Sequence, residues 1–376
     1  MTEHLEKQRR LEEFLDRHAL DGVLLQQRNN FSWITCGRHN HVGNATQLGA
    51  TSILATRNGR RICFANAIEA PRMREEELAG TAIEVVEYPW WDAAASQKIV
   101  RDVIGSRKIA ADSDVLLLLL LPLPLPGLPS LPADFAELRW VLTDEEIARY
   151  RDGGRRAAVA LETACREAKP GDSEHALAAN VLHHVHAAGC TSHIVLVAAD
   201  ERVEQFRHPI PTDRKVNRYA MLVVGSEFGG LLSSVTRIVS FGPLTPELAR
   251  RHQAVCNIDA AALLSTRPGR TIGEIFRTIQ QAYADNGFPD EWKLHHQGGS
   301  TGYTGRETRG LADSKVAVRE NQAFAWNPSI TGTKSEDTTL CTAQGIEVLT
   351  TMTANWPRVV GRHNGGEIER ADILVR

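Results

Sequence analysis

Hydrophobic spacing changes along the chain, and each change predicts an element. In the opening segment MTEHLEKQRRLEEFLDRHAL, Leu11, Phe14 and Leu15 fall at i, i+3 and i+4 among charged residues. That pattern predicts an amphipathic surface helix and does not read as a signal peptide. Strand-like runs follow in DGVLLQ, NFSWIT, TSILATRNGRRICFAN and IEVVEY, with Asn58-Gly59 as a hairpin turn, and then the helix-like ASQKIVRDVIG and the segment KIAADS. This alternation predicts a small α/β domain. The run DVLLLLLLPLPLPGLPSLP, residues 114–132, breaks it. Its leucines fall well short of the roughly 20 residues a spanning helix needs, and its prolines forbid a regular helix. An extended connector is expected there, dividing the chain into domains 1–132 and 133–376.

Helical spacing returns after the connector. Thr143 and Glu146 make a capping-box pair at the head of TDEEIARYRDGGRRAAVALETACREA, KPGD stops that helix, and EHALAANVLHHVHAAG supplies a second. Strands are then predicted in SHIVLVAA, RYAMLVVGSEF, SSVTRIVSF, QAFAWNPSI, DTTLCT and GIEVLT, with two further helices near 247–264 and 271–286. Hairpin strands with separate helices predict an α+β domain. The order helix-helix-strand-strand occurs twice, as an old duplication would leave it.

Composition narrows the partners. The 376 residues are 42% hydrophobic and 24% charged with a net charge of -3, so no polybasic surface for nucleic acid or anionic membrane is expected. The six cysteines show neither CxxC nor zinc-finger spacing, which predicts reduced, mostly buried thiols and a cytoplasmic protein.

Five phrases carry the chemistry, in this order: FRHPIPTDRKV, GSEFGGLLSSVTRIVSFG, RPGRTIGEIF, HHQGGSTGYTGRE and NQAFAWNPSITGTKSEDTTL. Together they resemble the creatinase, prolidase and aminopeptidase P family, and the first domain, with NNFSWITCG, resembles that family's N-terminal domain. The resemblance implies a pita-bread catalytic domain of α+β class behind a smaller α/β domain. Its peptidases bind two divalent metals through two Asp, one His and two Glu, anionic oxygens being needed to offset cation desolvation. Matched on Thr236-Arg237, the second Asp falls on Ser234 and the first, eleven residues earlier, on Val223. The metal histidine falls on Gly299 and the first Glu on Asn327, leaving only Glu336 of the set. One carboxylate does not hold a two-metal cluster, so neither metal nor other cofactor is expected.

Creatinase works without metal, and the position of its acid/base histidine is matched by His208 in FRHPIPTDRK. Histidine suits that task because its pKa lies near neutrality. The glutamates that grip a guanidinium in creatinase fall on Thr236 and Asn327, which makes creatine a poor substrate and a neutral or zwitterionic C–N compound a better one. Glu307 matches the acid of the family's His-Glu pair, and Arg306 takes the histidine's place. Arg306 could fork onto a substrate carboxylate or pair with Glu307 or Glu336. On a strand His295 and His296 would point to opposite faces, so at most one would face the site. By the same alternation Lys334 could share a face with Glu336 and pair with it, while Asp337 points away. In CGRHNHVGN, Arg38, His39 and His41 fall in a loop after a strand, and the resemblance implies a homodimer in which His39 could reach a partner's substrate.

Three functions follow. The first is a metal-independent hydrolase of a small amino-acid-like, amide or amidine substrate. In it His208 is the general acid/base, Glu336 or Glu307 orients it or a water, and Asn327, Arg306, Thr236, Ser234, one of His295 and His296, and His39 bind substrate. The second is a non-catalytic, peptidase-like binding or scaffold protein. The third is a mononuclear metallopeptidase built on Glu336 and one histidine of the His295-His296 pair.

Overall fold

The computed structural model describes residues 2–113, 115–118, 121–124 and 128–376. Contacts divide the chain into two units, Met1–Arg139 with Thr143–Glu146, and Trp140–Leu142 with Ile147–Arg376.

The first unit is built on α1 (Glu3–Arg17), which buries Leu11, Phe14 and Leu15 completely. Its periodicity conceals a buried cation. Lys7 is also fully buried, 2.7 Å from Glu3 and 2.8 Å from Glu146, and donates to the Trp33 carbonyl. The chain continues through β1 (Gly22–Gln27), α2 (Arg28–Ile34), β2 (Leu48–Thr56), β3 (Arg61–Asn66), β4 (Glu84–Tyr88), α3 (Ala93–Ile104) and β5 (Ile109–Ala111). The sheet order is β4-β3-β2-β1-β5, parallel at both outer pairs and antiparallel within. Gly59, at φ +80°, makes the β2–β3 turn predicted from Asn58-Gly59. The predicted strand NFSWIT is instead part of helix α2. Asn30 to Ile34 are all buried, and a seven-residue helix covered on every side shows no polar face to betray its period. The segment holding Arg38, His39 and His41 therefore follows a helix.

Part of the expected connector lies outside the described residues. Within it, β6 (Val115–Leu118) and β7 (Leu121–Pro124) pair as an antiparallel hairpin.

Beyond it come α4 (Asp144–Glu167) and α5 (Glu174–Ala187). The predicted capping box is present, with the Thr143 N–H donating to Glu146 and the Glu146 N–H to the Thr143 hydroxyl. Then follow β8 (Thr191–Ala199), β9 (Tyr219–Phe228), β10 (Leu231–Ser240), α6 (Pro246–Ser265) and α7 (Ile272–Asp285). The remaining strands are β11 (Gly298–Thr301), β12 (Thr308–Arg309), β13 (Gln322–Trp326), β14 (Ser329–Ile330), β15 (Thr333–Lys334), β16 (Thr339–Thr342), β17 (Gly345–Val348), β18 (Arg358–His363), β19 (Gly366–Ala371) and β20 (Leu374–Val375).

In the second unit a helix pair packs on a sheet twice. Leu161 and Val181 pack with Val197, Leu222 and Val235 over the sheet β20-β10-β9-β8. Ile258 and Ile275 pack with Phe324 and Trp326 over the sheet β12-β11-β13-β16-β17. Buried charges join the two. Asp337, just before β16, meets Arg237 of β10 at 3.0 Å and Arg370 of β19 at 2.7 Å, while Arg237 also meets Glu162 of α4 and Arg370 meets Asp259 of α6. The run QAFAWNPSI breaks into β13 and β14 at Asn327-Pro328, since proline has no N–H to offer the ladder.

Candidate functional site

Two connectors bring three imidazoles together. His208 lies in the irregular segment before β9, held where the Val197 N–H donates to the Pro209 carbonyl. His295 and His296 lie in the bend before β11 and not on a strand, so alternation does not separate them. Gln297, fully buried, fixes that bend by donating to the carbonyls of Trp292 and His295 and accepting from the Tyr283 hydroxyl. Both histidines therefore face His208, contrary to the expectation that only one would. The Nε2 atoms of His208 and His295 are 3.1 Å apart, and the His208 ring centroid is 4.9 Å from that of His295 and 5.6 Å from that of His296.

These rings are neutral at pH 7. Burial, then the Lys334 charge, depresses His295 to about 2. His296 keeps a solvent-exposed edge, yet the atoms crowding its ring and the Arg306 charge depress it to about 4. Exposed His208 is lowered by burial of part of its ring and by Lys334, against an upward pull from Glu336.

Glu336 is the centre of a cluster of charges beside the imidazoles. One carboxylate oxygen accepts from Lys334 Nζ and from the Thr236 hydroxyl, each at 2.7 Å, and the other lies 3.7 Å from Arg306. Burial pushes this carboxyl up, but the Lys334 and Arg306 charges and these hydrogen bonds outweigh it and hold it below the usual range. Asp337 turns the other way, into the buried charges behind β10. Asn327 is 2% exposed; its N–H donates to the Gln297 carbonyl, and its Oδ1 is buried without a partner among the described residues. Arg306 Nε is buried and unpartnered in the same way. The Glu307 N–H donates to the Ser300 carbonyl, and its carboxylate reaches toward Gly302. Ser234 is tied through its backbone to the Thr338 hydroxyl. His39 belongs to the first unit, where its N–H donates to Glu77.

One residue beside this group has no counterpart in the sequence reading. His193 is the extra residue of a bulge in β8, between Ser192 and Ile194, and its ring lies over Gly225, the residue paired with Ser234. A Cβ on Gly225 would come within 2.7 Å of that ring. The only sequence signal is a histidine inside an otherwise apolar strand run, because a bulge depends on the partner strand.

The positions that the sequence resemblance matches to the family's metal ligands have the following surroundings. Val223, paired with Thr236, is part of an apolar cluster with Leu196, Met221 and Ile238. Gly299 leaves no room for a side chain, since a Cβ there would lie 2.0 Å from the Thr308 carbonyl oxygen. Glu336 has Lys334, Thr236 and Arg306 as partners.

Comparison with known proteins fits this architecture. An uncharacterised peptidase of Staphylococcus aureus (strain MW2) is 19% identical over 310 residues, covering 80% of this chain and 87% of its own. The Xaa-Pro dipeptidase of Bacillus anthracis superposes with a TM-score of 0.76 at 18% identity, over 99% of this chain and 100% of its own. The prolidase of Pyrococcus horikoshii OT3 gives 0.75 at 20% identity, over 93% and 99%. The solved structures establish the pita-bread fold and a shared plan for the N-terminal domain. Residues 148–348, more than half the chain, match the model of metallopeptidase family M24, and the chain belongs to that family.

Proposed function

We propose that this chain hydrolyses a C–N bond in a small carboxylate-bearing amide or amidine, with His208 as general acid/base and without a catalytic metal. The observation that carries the proposal is the 3.1 Å contact between the Nε2 atoms of His208 and His295. At that distance one proton lies between the two nitrogens, and the pair takes up another only at an outer Nδ1. His295 Nδ1 is buried without a partner among the described residues, so the burden falls on exposed His208. A neutral imidazole in that position can take a proton from an attacking water and return it to the leaving nitrogen.

The remaining side chains support substrate more readily than metal. Lys334 and Arg306 would repel a guanidinium and attract a carboxylate, and Arg306 Nε is a buried donor in need of an acceptor. Asn327 Oδ1 is a buried acceptor suited to the N–H of an amide or amidine. Glu336 serves as fixed countercharge to both cations, and Glu307 is the carboxylate assigned to orient water. Family membership supports hydrolysis of a C–N bond in general.

The test is hydrolysis of small carboxylate-bearing amides by protein dialysed exhaustively against chelator. Turnover should persist, and His208→Ala should lower kcat by roughly 10²- to 10⁴-fold. Activity that vanishes on chelation and returns with manganese or zinc overturns the proposal.

A further inference from the structure

We propose that His208, His295 and His296 form a site for a single borderline transition-metal ion such as Zn²⁺, and that its occupancy switches the pocket off. The three offer one ring nitrogen each, all within 4.8 Å of one another. Tetrahedral zinc with nitrogens at about 2.0–2.1 Å places its ligands roughly 3.3 Å apart. The 3.1 Å between the Nε2 atoms of His208 and His295 already meets that spacing, and His296 needs only a small ring movement. That movement gives up the 3.2 Å contact in which the Gly298 N–H donates to His296 Nδ1.

Ligand chemistry selects the ion. Three imidazoles without a carboxylate suit zinc, copper or nickel and disfavour magnesium and calcium. The rings are uncharged at neutral pH, so lone pairs are available, and exposure of His208 and His296 leaves a path for entry and room for a water as fourth ligand. Lys334 and Arg306 limit affinity, although Glu336 lies between them as a countercharge. This site differs from one built on Glu336 or on the positions of Val223 and Ser234. Its effect on turnover rests on the function proposed above, because His208 cannot coordinate an ion and exchange a proton with substrate through the same ring. Binding itself does not depend on that function.

The experiment uses the full chain freed of metal by chelator and titrated with Co²⁺, read by its visible absorption, then with Zn²⁺ in competition by calorimetry. One ion per chain is expected. His208→Gln and His296→Gln, both at exposed positions, should each weaken binding roughly tenfold or more, with circular dichroism confirming the fold. The double variant Lys334→Met with Glu336→Gln, which removes both buried charges, should retain the cobalt spectrum. No saturable binding below about 1 mM ion, or binding lost in that folded double variant but kept in both histidine variants, overturns the site. Zinc added to active protein should inhibit. Stoichiometric binding at the histidines with zinc-dependent activation would keep the site and overturn both the switching-off and the metal-free reaction.

Discussion

Lys334 and Glu336 cannot be changed one at a time without cost, since both are about 95% or more buried and lie 2.7 Å apart. Removing one charge strands the other in a medium that solvates it poorly. Lys334→Met should therefore destabilise the protein by about 3–5 kcal/mol, read from the urea midpoint, while the double variant with Glu336→Gln should recover most of the loss. A Lys334→Met midpoint equal to that of the parent would show that Arg306 and Thr236 suffice to hold the carboxylate. Among single residues, those in ordered motifs were legible: Glu336 from SEDTTL, His208 from FRHPIP, and the Lys334 pairing from strand alternation. The joint approach of His295 and His296 to His208 was not. Adjacent residues share a face only where the backbone bends, and the bend is made by Gln297 and Tyr283, fourteen positions apart.

That bend depends on Gly298. Its φ of +93° is in the region only glycine adopts freely, and a Cβ would lie 2.1 Å from the Ala325 carbonyl oxygen of β13. Gly298→Ala should destabilise by roughly 3 kcal/mol or more and misplace His295 and His296, lowering turnover even at temperatures where circular dichroism reports folded protein. Normal kinetics in the folded variant would separate the bend from the chemistry. At this scale long periodic helices and alternating strands were read from the sequence, because their own residues carry the pattern. Three features escaped for lack of such a pattern. Helix α2 is too short and too covered, the β8 bulge is defined against β9, and the larger apolar residues of the β18–β19 hairpin, Val359, Val360 and Ile368, are only half-buried.

Across the molecule six histidines act in one direction. His4, His208, His252, His295, His296 and His363 are all lowered below 6.5, burial being the first cause in each. The unfolded chain thus binds protons that the native one refuses. The resulting stability is complete above about pH 6.5 and lost as pH falls below it toward the folded-state values. Urea unfolding free energy should be lower at about pH 5.5 than at about pH 7.5, a window in which carboxylates change little. His252→Gln should reduce the difference, since that ring is buried between the Thr333 hydroxyl and the Ala371 carbonyl. A flat profile over this interval would mean that the rings gain compensating partners on protonation. The fold class was legible at this scale, because the repeated order of helices and strands survives in the hydrophobic pattern. The charges that link the two layers do not follow any period. Asp337 holds Arg237 from one half and Arg370 from the other, and a carboxylate without both would be stranded in the interior. Melting either helix–sheet half of the second unit on its own would strand that charge in the other, so, whatever their history as a repeated motif, the two are expected to unfold in a single transition.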